Sequence, residues 1–252
     1  TQLTAAATRQ WANELFDRLD LPIAMMPELV QPGVRLGQLR PNVREALALP
    51  DLAIVAPATH DTASAVAGAP IADGWAYLSS GTWSLLGVET EAPVLTDAVR
   101  EARLTNECGT EGRNRLLKHI AGMWILESCR QTWAAQGASL GFDALNRAIA
   151  SVPARRAFIL PDDSRFFNPP EMLGAISTFL QESDQSVPTD HGGYARVILE
   201  SLALRYASVV EAIERVTGRS IVGIRIIGGG SQNRFLNQAT ADATGREVRT
   251  GP

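Results

Sequence analysis

The chain has 252 residues, of which 45% are hydrophobic and 20% charged, a length that suits one large domain or two modest ones. Its 23 Lys and Arg residues against 27 Asp and Glu residues give a net charge of −4. This balance disfavours proteins that hold nucleic acid by neutralising phosphates, and it disfavours basic membrane-surface helices. The longest apolar stretches are also far too short to span a bilayer.

The two cysteines, Cys108 and Cys129, are too few for a secreted disulfide framework and lack the CxxC spacing of a structural zinc site. No signal-peptide pattern opens the chain, so we expect a cytoplasmic protein. The first residue is Thr1 rather than Met, and Pro252 directly follows a predicted strand and turn. We therefore expect the chain to be an excerpt of a longer protein.

The predicted elements begin with a helix that Thr4 caps and that carries Trp11, Leu15 and Leu19 on one face. Residues 21–50 are rich in Pro and Gly and predict loops with a short helix over 42–49. The following elements are an apolar run at 53–56, predicted as a buried strand, and a helix that begins near Thr62. A break at 70–74 divides the chain into predicted domains 1–72 and 73–252.

The second predicted domain opens with a hairpin, since two strand-like runs flank Gly81, Thr82 and Trp83. The apolar run at 116–122 predicts either a third strand or the entry to a helix. Tyr194–Thr217 is the longest predicted helix, with Ile198, Leu202, Tyr206, Val209 and Ile213 on its buried face. The other predictions are helices over 124–134, 140–151 and 233–244, strands over 157–160, 221–227 and 247–249, and a turn-rich segment over 161–170. This alternation indicates an α/β fold.

The first candidate site is the segment Thr59 to Thr62, which follows the apolar run at 53–56. Open α/β sheets place ligands at the carboxyl ends of their strands, where Asp61 could accept a proton from a substrate hydroxyl. The alternative is that Asp61 caps the following helix by accepting backbone N–H groups near Ser64. A metal site is not indicated, because the three histidines, His60, His119 and His191, are not paired at helical spacing.

Two glycine-containing segments are further candidates. The hairpin tip Ser79 to Ser84 can offer backbone N–H groups and a Thr hydroxyl to phosphate oxygens, although an ordinary hairpin turn also uses glycine. The turn Gly228–Gly230 lies between a strand and a helix, where a flat or anionic ligand can approach the backbone. It lacks the third glycine of the dinucleotide fingerprint, whose position Asn233 occupies.

Together these segments resemble the rhamnulokinases, within the FGGY carbohydrate kinases. The resemblance rests on APATHDTASAV, YLSSGTWSL and GGGSQNxxLNQ in that order, and on TNE at Thr105–Glu107 and RFFNP at Arg165–Pro169. It covers essentially the whole chain. It implies an α/β, actin-like ATPase (ribonuclease H-like) fold, of which this chain would hold the end of the first domain and most of the second.

The resemblance also implies the site residues. Asp61 would be the catalytic base, and His60, Asp61, Thr62 and His119 would contact the sugar. The residues implied to contact ATP are Gly81, Thr82, Glu127, Gly229 and Gly230. The family usually has Asn where His119 stands and Gln where Glu127 stands. No protein ligand for a metal is assigned, and Mg²⁺ would bridge the phosphate oxygens of ATP.

The implied reaction is transfer of the γ-phosphoryl group of ATP to the 1-hydroxyl of L-rhamnulose. Closure of two domains would exclude water, which otherwise competes as the acceptor. The excerpt alone is expected to show little activity, since half of the cleft wall would be absent. The alternatives are a kinase for another ketose such as fuculose or xylulose, a non-catalytic fragment kept for binding, and a dinucleotide-dependent dehydrogenase suggested by Gly228–Gly230.

Overall fold

A computed structural model of the chain describes residues 3–58 and 60–251. The strands are β1 (Thr4–Ala5), β2 (Gln10–Trp11), β3 (Arg35–Gln38), β4 (Ala53–Val55), β5 (Trp75–Ser80), β6 (Ser84–Thr90), β7 (Thr105–Cys108), β8 (Asn114–Ile120), β9 (Gly223–Ile227) and β10 (Glu247–Thr250). The helices are α1 (Asn13–Arg18), α2 (Pro41–Ala46), α3 (Asp61–Gly68), α4 (Asp97–Glu101), α5 (Trp124–Ala135), α6 (Phe142–Ala150), α7 (Met172–Glu182), α8 (His191–Thr217) and α9 (Arg234–Thr244). None of the helices within these ranges has the length and apolar content needed to cross a membrane.

The central sheet has six strands in the order β10-β9-β5-β6-β8-β7. The strands β10, β9 and β5 run parallel, whereas β5-β6, β6-β8 and β8-β7 are antiparallel pairs. The predicted hairpin is confirmed as β5 and β6, with Ser80 opposite Ser84 beside the tip. The apolar run after Asn114 is a strand, β8, rather than the entry to a helix.

The main core lies on one face of this sheet. Alternate residues of the strands, among them Leu78, Leu86, Leu116 and Ile226, are buried there beneath helices, as the two-residue period of a strand requires. The predicted face of α8 is confirmed, because all of its members are buried: Ile198, Leu202, Tyr206, Val209 and Ile213. The Tyr206 hydroxyl also bonds the Ser84 hydroxyl at 2.7 Å, which ties the hairpin to this long helix.

The opposite face of the sheet carries a smaller cluster that seats α3. Val66 of this helix packs with Tyr77, Leu85, Leu117 and Ile227, each from a different strand. Helix α3 therefore lies across the middle of the sheet and begins close to the hairpin tip. The segment between Gly68 and Trp75 contains the predicted domain boundary.

The prediction of a long opening helix is wrong. Residues 4–5 and 10–11 pair as a small antiparallel ladder, and the intervening Arg9 has a φ of 57°, which no helix residue adopts. The helix begins only at Asn13. Its buried residue is Phe16, whereas Leu15 and Leu19 on the predicted face are exposed.

The strand predicted at 53–56 forms at Ala53–Val55, but it is not buried. Among the described residues β4 pairs only with β3, and Ile54 and Val55 are 40% and 51% exposed. A two-stranded sheet without a layer packed on it leaves both faces accessible. Burial begins at the next residue, Ala56.

The predicted strand at 157–160 is not a strand, although Ala157 and Ile159 are buried in alternation. Its backbone bonds to side chains instead of to a neighbouring strand. The Ile159 N–H donates to the Ser201 hydroxyl at 2.9 Å, and Phe158 exchanges two hydrogen bonds with the Gln185 side chain. The two-residue period is real, but the sheet partner that would make it a strand is replaced by polar side chains of other elements.

Candidate active site

The segment implied to hold the catalytic base lies at the start of α3. His60 is extended and Asp61 is the first helical residue. The Asp61 carboxylate accepts the N–H of Thr62 at 2.6 Å, and its side chain is 97% exposed. The Ser64 N–H donates to the His60 carbonyl and not to the Asp61 side chain. The alternative in which Asp61 caps α3 by accepting N–H groups near Ser64 is therefore not what the structure shows. Thr59 lies outside the described residues.

The hairpin tip is fixed by the start of α5. The N–H groups of Met123 and Trp124 donate to the carbonyls of Gly81 and Thr82, both at 3.0 Å. Gly122 allows this close approach, because a Cβ at that position would lie 2.6 Å from the Ser84 nitrogen. The Thr82 side chain is exposed on this anchored turn.

The glycine turn after β9 packs against the end of β5. A Cβ at Gly228, whose φ is +84°, would lie 2.8 Å from the Ser80 carbonyl oxygen, and a Cβ at Gly230 would overlap the Ser80 hydroxyl. Gly229, by contrast, has no atom within 4 Å of such a Cβ. Two of the three glycines therefore permit packing, and the middle one faces open space.

A cavity of about 590 Å³, the Asp61 cavity, brings the three segments together. His60, Asp61 and Thr62 line one side of it, and His119 of β8 also lines it. The hairpin tip and the glycine turn supply the remaining wall, chiefly Gly81, Thr82, Trp83, Gly228 and Gly229. All four residues implied to contact the sugar thus share one cavity.

A second cavity of about 690 Å³, the Glu127 cavity, is lined in part by the same two segments. It shares Gly81, Thr82 and Gly229 with the Asp61 cavity, and it adds Gly230 and Glu127. The five residues implied to contact ATP therefore line this one cavity. The two cavities meet along the hairpin tip and the glycine turn.

Arg130 also lines the Glu127 cavity and was not found from the sequence. Its guanidinium pairs with the Glu127 carboxylate at 2.5 Å and donates to the Leu140 carbonyl. The negative charge of Glu127 is thus offset by an adjacent cation. Glu127 and Arg130 are three residues apart on α5, a spacing that places them on one helix face and could have indicated the pair.

Beneath His119 lies a second unpredicted group, Glu107 of β7. One carboxylate oxygen lies 2.9 Å from His119 Nε2, and the other accepts from Arg115 at 2.7 Å. Burial by itself raises the pKa of Glu107, but the hydrogen bond to His119 and the charge of Arg115 outweigh it and hold that pKa below the ordinary range. The carboxylate is therefore charged at neutral pH.

A third cavity, of about 810 Å³, adjoins the Asp61 cavity at Trp83 and His119, which line both. It contains none of the glycine turn, and Lys118 on its wall is bonded to the carbonyls of Ala102 and Arg103. Over residues 3–58 and 60–251, no group of three or more His, Cys, Asp or Glu side chains could hold a metal ion.

The family follows from comparison with known proteins. Residues 76–252 match the model of the C-terminal domain of the FGGY family of carbohydrate kinases. The chain belongs to this family. The match covers the six-stranded sheet, the hairpin tip and the glycine turn, and a carbohydrate kinase family contradicts the dehydrogenase alternative.

Curated relatives that align with the whole chain are rhamnulokinases, one group within the family. The rhamnulokinase of Enterococcus faecalis is 40% identical over 255 residues, and that of Bacteroides thetaiotaomicron is 43% identical over 252 residues. Each alignment includes 100% of this chain and 51% of the relative. The chain thus spans about half the length of these relatives.

Solved structures confirm the actin-like ATPase fold. A ligand-bound xylulose kinase from Lactobacillus acidophilus superposes with a TM-score of 0.74 at 17% identity, over 99% of this chain and 50% of that one. A Plasmodium falciparum glycerol kinase with ADP gives a TM-score of 0.71 at 16% identity, over 99% and 49% of the two chains.

Proposed function

We propose that the protein to which this chain belongs is an ATP-dependent kinase that phosphorylates the 1-hydroxyl of L-rhamnulose. The observation that carries the proposal is the meeting of two cavities at Gly81, Thr82 and Gly229, with Asp61 in one and Glu127 in the other. Direct transfer of a phosphoryl group requires the nucleotide and the sugar to bind in adjoining cavities. Curated rhamnulokinases with about 40% identity over the whole chain support the choice of sugar.

The Glu127 cavity is the proposed seat of ATP. The hairpin tip and the glycine turn line both cavities, and their N–H groups and the Thr82 hydroxyl can bind phosphate oxygens without adding bulk. Gly229 leaves open space for the nucleotide, since nothing lies within 4 Å of the position of its Cβ. The nucleoside would extend toward Glu127 and Arg130.

In the Asp61 cavity, the exposed carboxylate of Asp61 would orient the sugar hydroxyl and take its proton as the phosphoryl group transfers. Because such transfers pass through a loose transition state, positioning contributes more than base strength. His60, Thr62 and His119 would bind the other hydroxyls.

A magnesium ion fits this site as part of the nucleotide complex. Mg²⁺ is usually held by phosphate oxygens, waters and one or two carboxylates, and the exposed carboxylate of Asp61 lines the cavity that adjoins the proposed ATP site. The ion would neutralise the charge of the transferring phosphate. We place the reaction in the cytoplasm, which agrees with the two free cysteines.

The direct test is Asp61→Asn in the full-length polypeptide that contains this chain. We expect turnover with L-rhamnulose to fall by about 10²–10⁴-fold, the range for loss of a catalytic base, while calorimetry shows ATP affinity nearly unchanged. Asp73→Asn is the matched control, because Asp73 is an exposed aspartate of the loop before β5 that lines neither cavity. Near-normal turnover of Asp61→Asn would show that another group is the base.

The identity of the sugar requires a second measurement. ADP formation with L-rhamnulose, fuculose and xylulose, each with the purified full-length polypeptide, separates rhamnulokinase from kinases of the other ketoses. We expect the highest kcat/KM with L-rhamnulose. A higher kcat/KM with fuculose or xylulose would retain the kinase and change its substrate.

A further inference from the structure

We propose that Glu107, held by Arg115, is a positioning residue that fixes His119 as a hydrogen-bond acceptor toward the sugar. The inference rests on the proposed function and deepens it, because it adds Glu107 and Arg115, which do not line the Asp61 cavity, to the residues that determine how His119 meets the sugar. We refer to Arg115, Glu107 and His119 together as the relay.

The geometry of the relay follows from the register of the sheet. Glu107 on β7 is directly opposite Arg115 on β8, and His119 is four residues further along β8, so Arg115 and His119 project from the same face. The two carboxylate oxygens of Glu107 are divided between them, at 2.7 Å from Arg115 and 2.9 Å from His119 Nε2. His119 is the member that reaches the Asp61 cavity.

An ionised carboxylate only accepts hydrogen bonds. The contact with Glu107 therefore requires the proton of neutral His119 to reside on Nε2, and Nδ1 keeps its lone pair. A sugar hydroxyl can donate to that lone pair. The same logic applies to metal-binding histidines, where a partner on one ring nitrogen fixes the state of the other.

Arg115 makes the arrangement rigid. Its side chain is 2% exposed, and within the described residues its Nε and Nη1 atoms have no hydrogen-bond partner. Glu107 is the carboxylate hydrogen-bonded to this buried guanidinium, which also feels the charge of Glu89 on β6, and removing the bonded partner of a buried charge is costly. Turning the carboxylate away would break its bond to Arg115, and this cost favours the orientation in which the second oxygen contacts His119.

The first experiment measures the tautomer directly and needs no activity. We would record ¹⁵N NMR spectra of the full-length polypeptide labelled at histidine, and assign the His119 signals by their loss in His119→Asn. We expect the Nε2–H tautomer, with Nδ1 unprotonated, at a pH where the ring is neutral. A dominant Nδ1–H tautomer would overturn the relay whether or not the protein is a rhamnulokinase.

Glu107→Gln tests the role in binding. The amide oxygen would accept from Arg115 and the amide NH₂ would donate to Nε2, which moves the ring proton to Nδ1 and removes the acceptor. We expect the KM for L-rhamnulose to rise about tenfold, as for one lost hydrogen bond, with kcat and the KM for ATP changed less than twofold. The NMR spectrum of this variant should show the Nδ1–H tautomer, which also verifies that it folds.

Two further variants separate positioning from a general structural effect. In a His119→Asn background, Glu107→Gln should change the KM for the sugar less than twofold, because its target is absent. Glu89→Gln is the matched control, since Glu89 on β6 is directly opposite Arg115 on its other side and is not bonded to His119. An equal KM increase in Glu89→Gln, or an undiminished effect of Glu107→Gln in the His119→Asn background, would overturn the proposal.

Discussion

Cys108 and Cys129 show at the scale of single residues how surroundings set chemistry. Cys129 lies in the main core with 0% exposure, and burial, with a smaller effect from the charge of Glu171, raises the pKa of its thiol to about 12. Cys108 is exposed at the end of β7. The thiolate is the reactive form, so Cys129 is protected both by its burial and by its raised pKa.

We expect a thiol reagent at pH 8 to modify Cys108 at least about 100-fold faster than Cys129 in the native protein, because Cys129 reacts only when its region opens. Mass spectrometry of labelled peptides over time measures both rates in the full-length polypeptide. Denaturant should remove the difference. Rapid native labelling of Cys129 would contradict its placement in the core.

Only some of the residues at the candidate site could be predicted from the sequence. His60, Asp61, Thr62 and His119 were predicted through a resemblance, and the structure brings them into one cavity. Glu107 gained a role only when distances were known, since it is twelve residues from His119 along the chain and meets it through the pairing of β7 with β8. Arg130, by contrast, is three residues from Glu127 on α5, a spacing that the sequence shows. Their roles as functional residues remain predictions.

At the scale of elements, the glycines of the turn Gly228–Gly230 differ in whether they allow close packing or leave room for a ligand. The Gly230 position has no room for a methyl group beside Ser80, whereas the Gly229 position is open. The three glycines are indistinguishable in the sequence, but their neighbours make them different.

We expect Gly230→Ala to lower the free energy of unfolding by about 1–3 kcal/mol, as overpacking does. Gly229→Ala should change it by less than about 0.5 kcal/mol but raise the KM for ATP, with the KM for the sugar unchanged. Denaturant titration and steady-state kinetics of both variants check this. A loss of stability in Gly229→Ala equal to that in Gly230→Ala would remove the distinction.

Helix α7 was absent from the sequence prediction, although its pattern was present. Met172, Ile176 and Leu180 recur every four residues and are buried, and Glu171 accepts N–H bonds from Leu173 and Gly174 at the helix start. Glutamate is an uncommon N-cap, so the usual start signal was missing. The short elements α4 and β7 were also missed, because five and four residues carry little periodicity.

At the scale of the whole molecule, the two faces of the central sheet differ in how much they bury. One face belongs to the main core beneath α8, and the other seats α3 through the small cluster around Val66. The proposed base, Asp61, is the first residue of α3. The small cluster therefore positions the site, and the large one supplies more of the stability.

We expect Ile198→Ala in the large core to cost about 2–5 kcal/mol of unfolding free energy and Val66→Ala about 1–3 kcal/mol, from the loss of buried methyl groups. Val66→Ala should reduce kcat more than Ile198→Ala at temperatures where both variants are folded, because it loosens the seat of Asp61. Thermal unfolding and kinetics of the two variants measure this. A larger loss of kcat in Ile198→Ala than in Val66→Ala would contradict the assignment of site positioning to the small cluster.

The sequence by itself determined the hairpin, the glycine turn and the buried face of α8, because each depends on neighbours within a few residues or on the period of one element. It also determined the family resemblance, since each of the three segments that carry it is an unbroken stretch of the chain. Only the tertiary structure decided that the predicted strand at 157–160 bonds to Gln185 and Ser201, that β4 is exposed, and that two cavities meet at the hairpin tip. These outcomes depend on contacts between residues that are far apart in the chain. The periodicity within a single element does not specify such contacts.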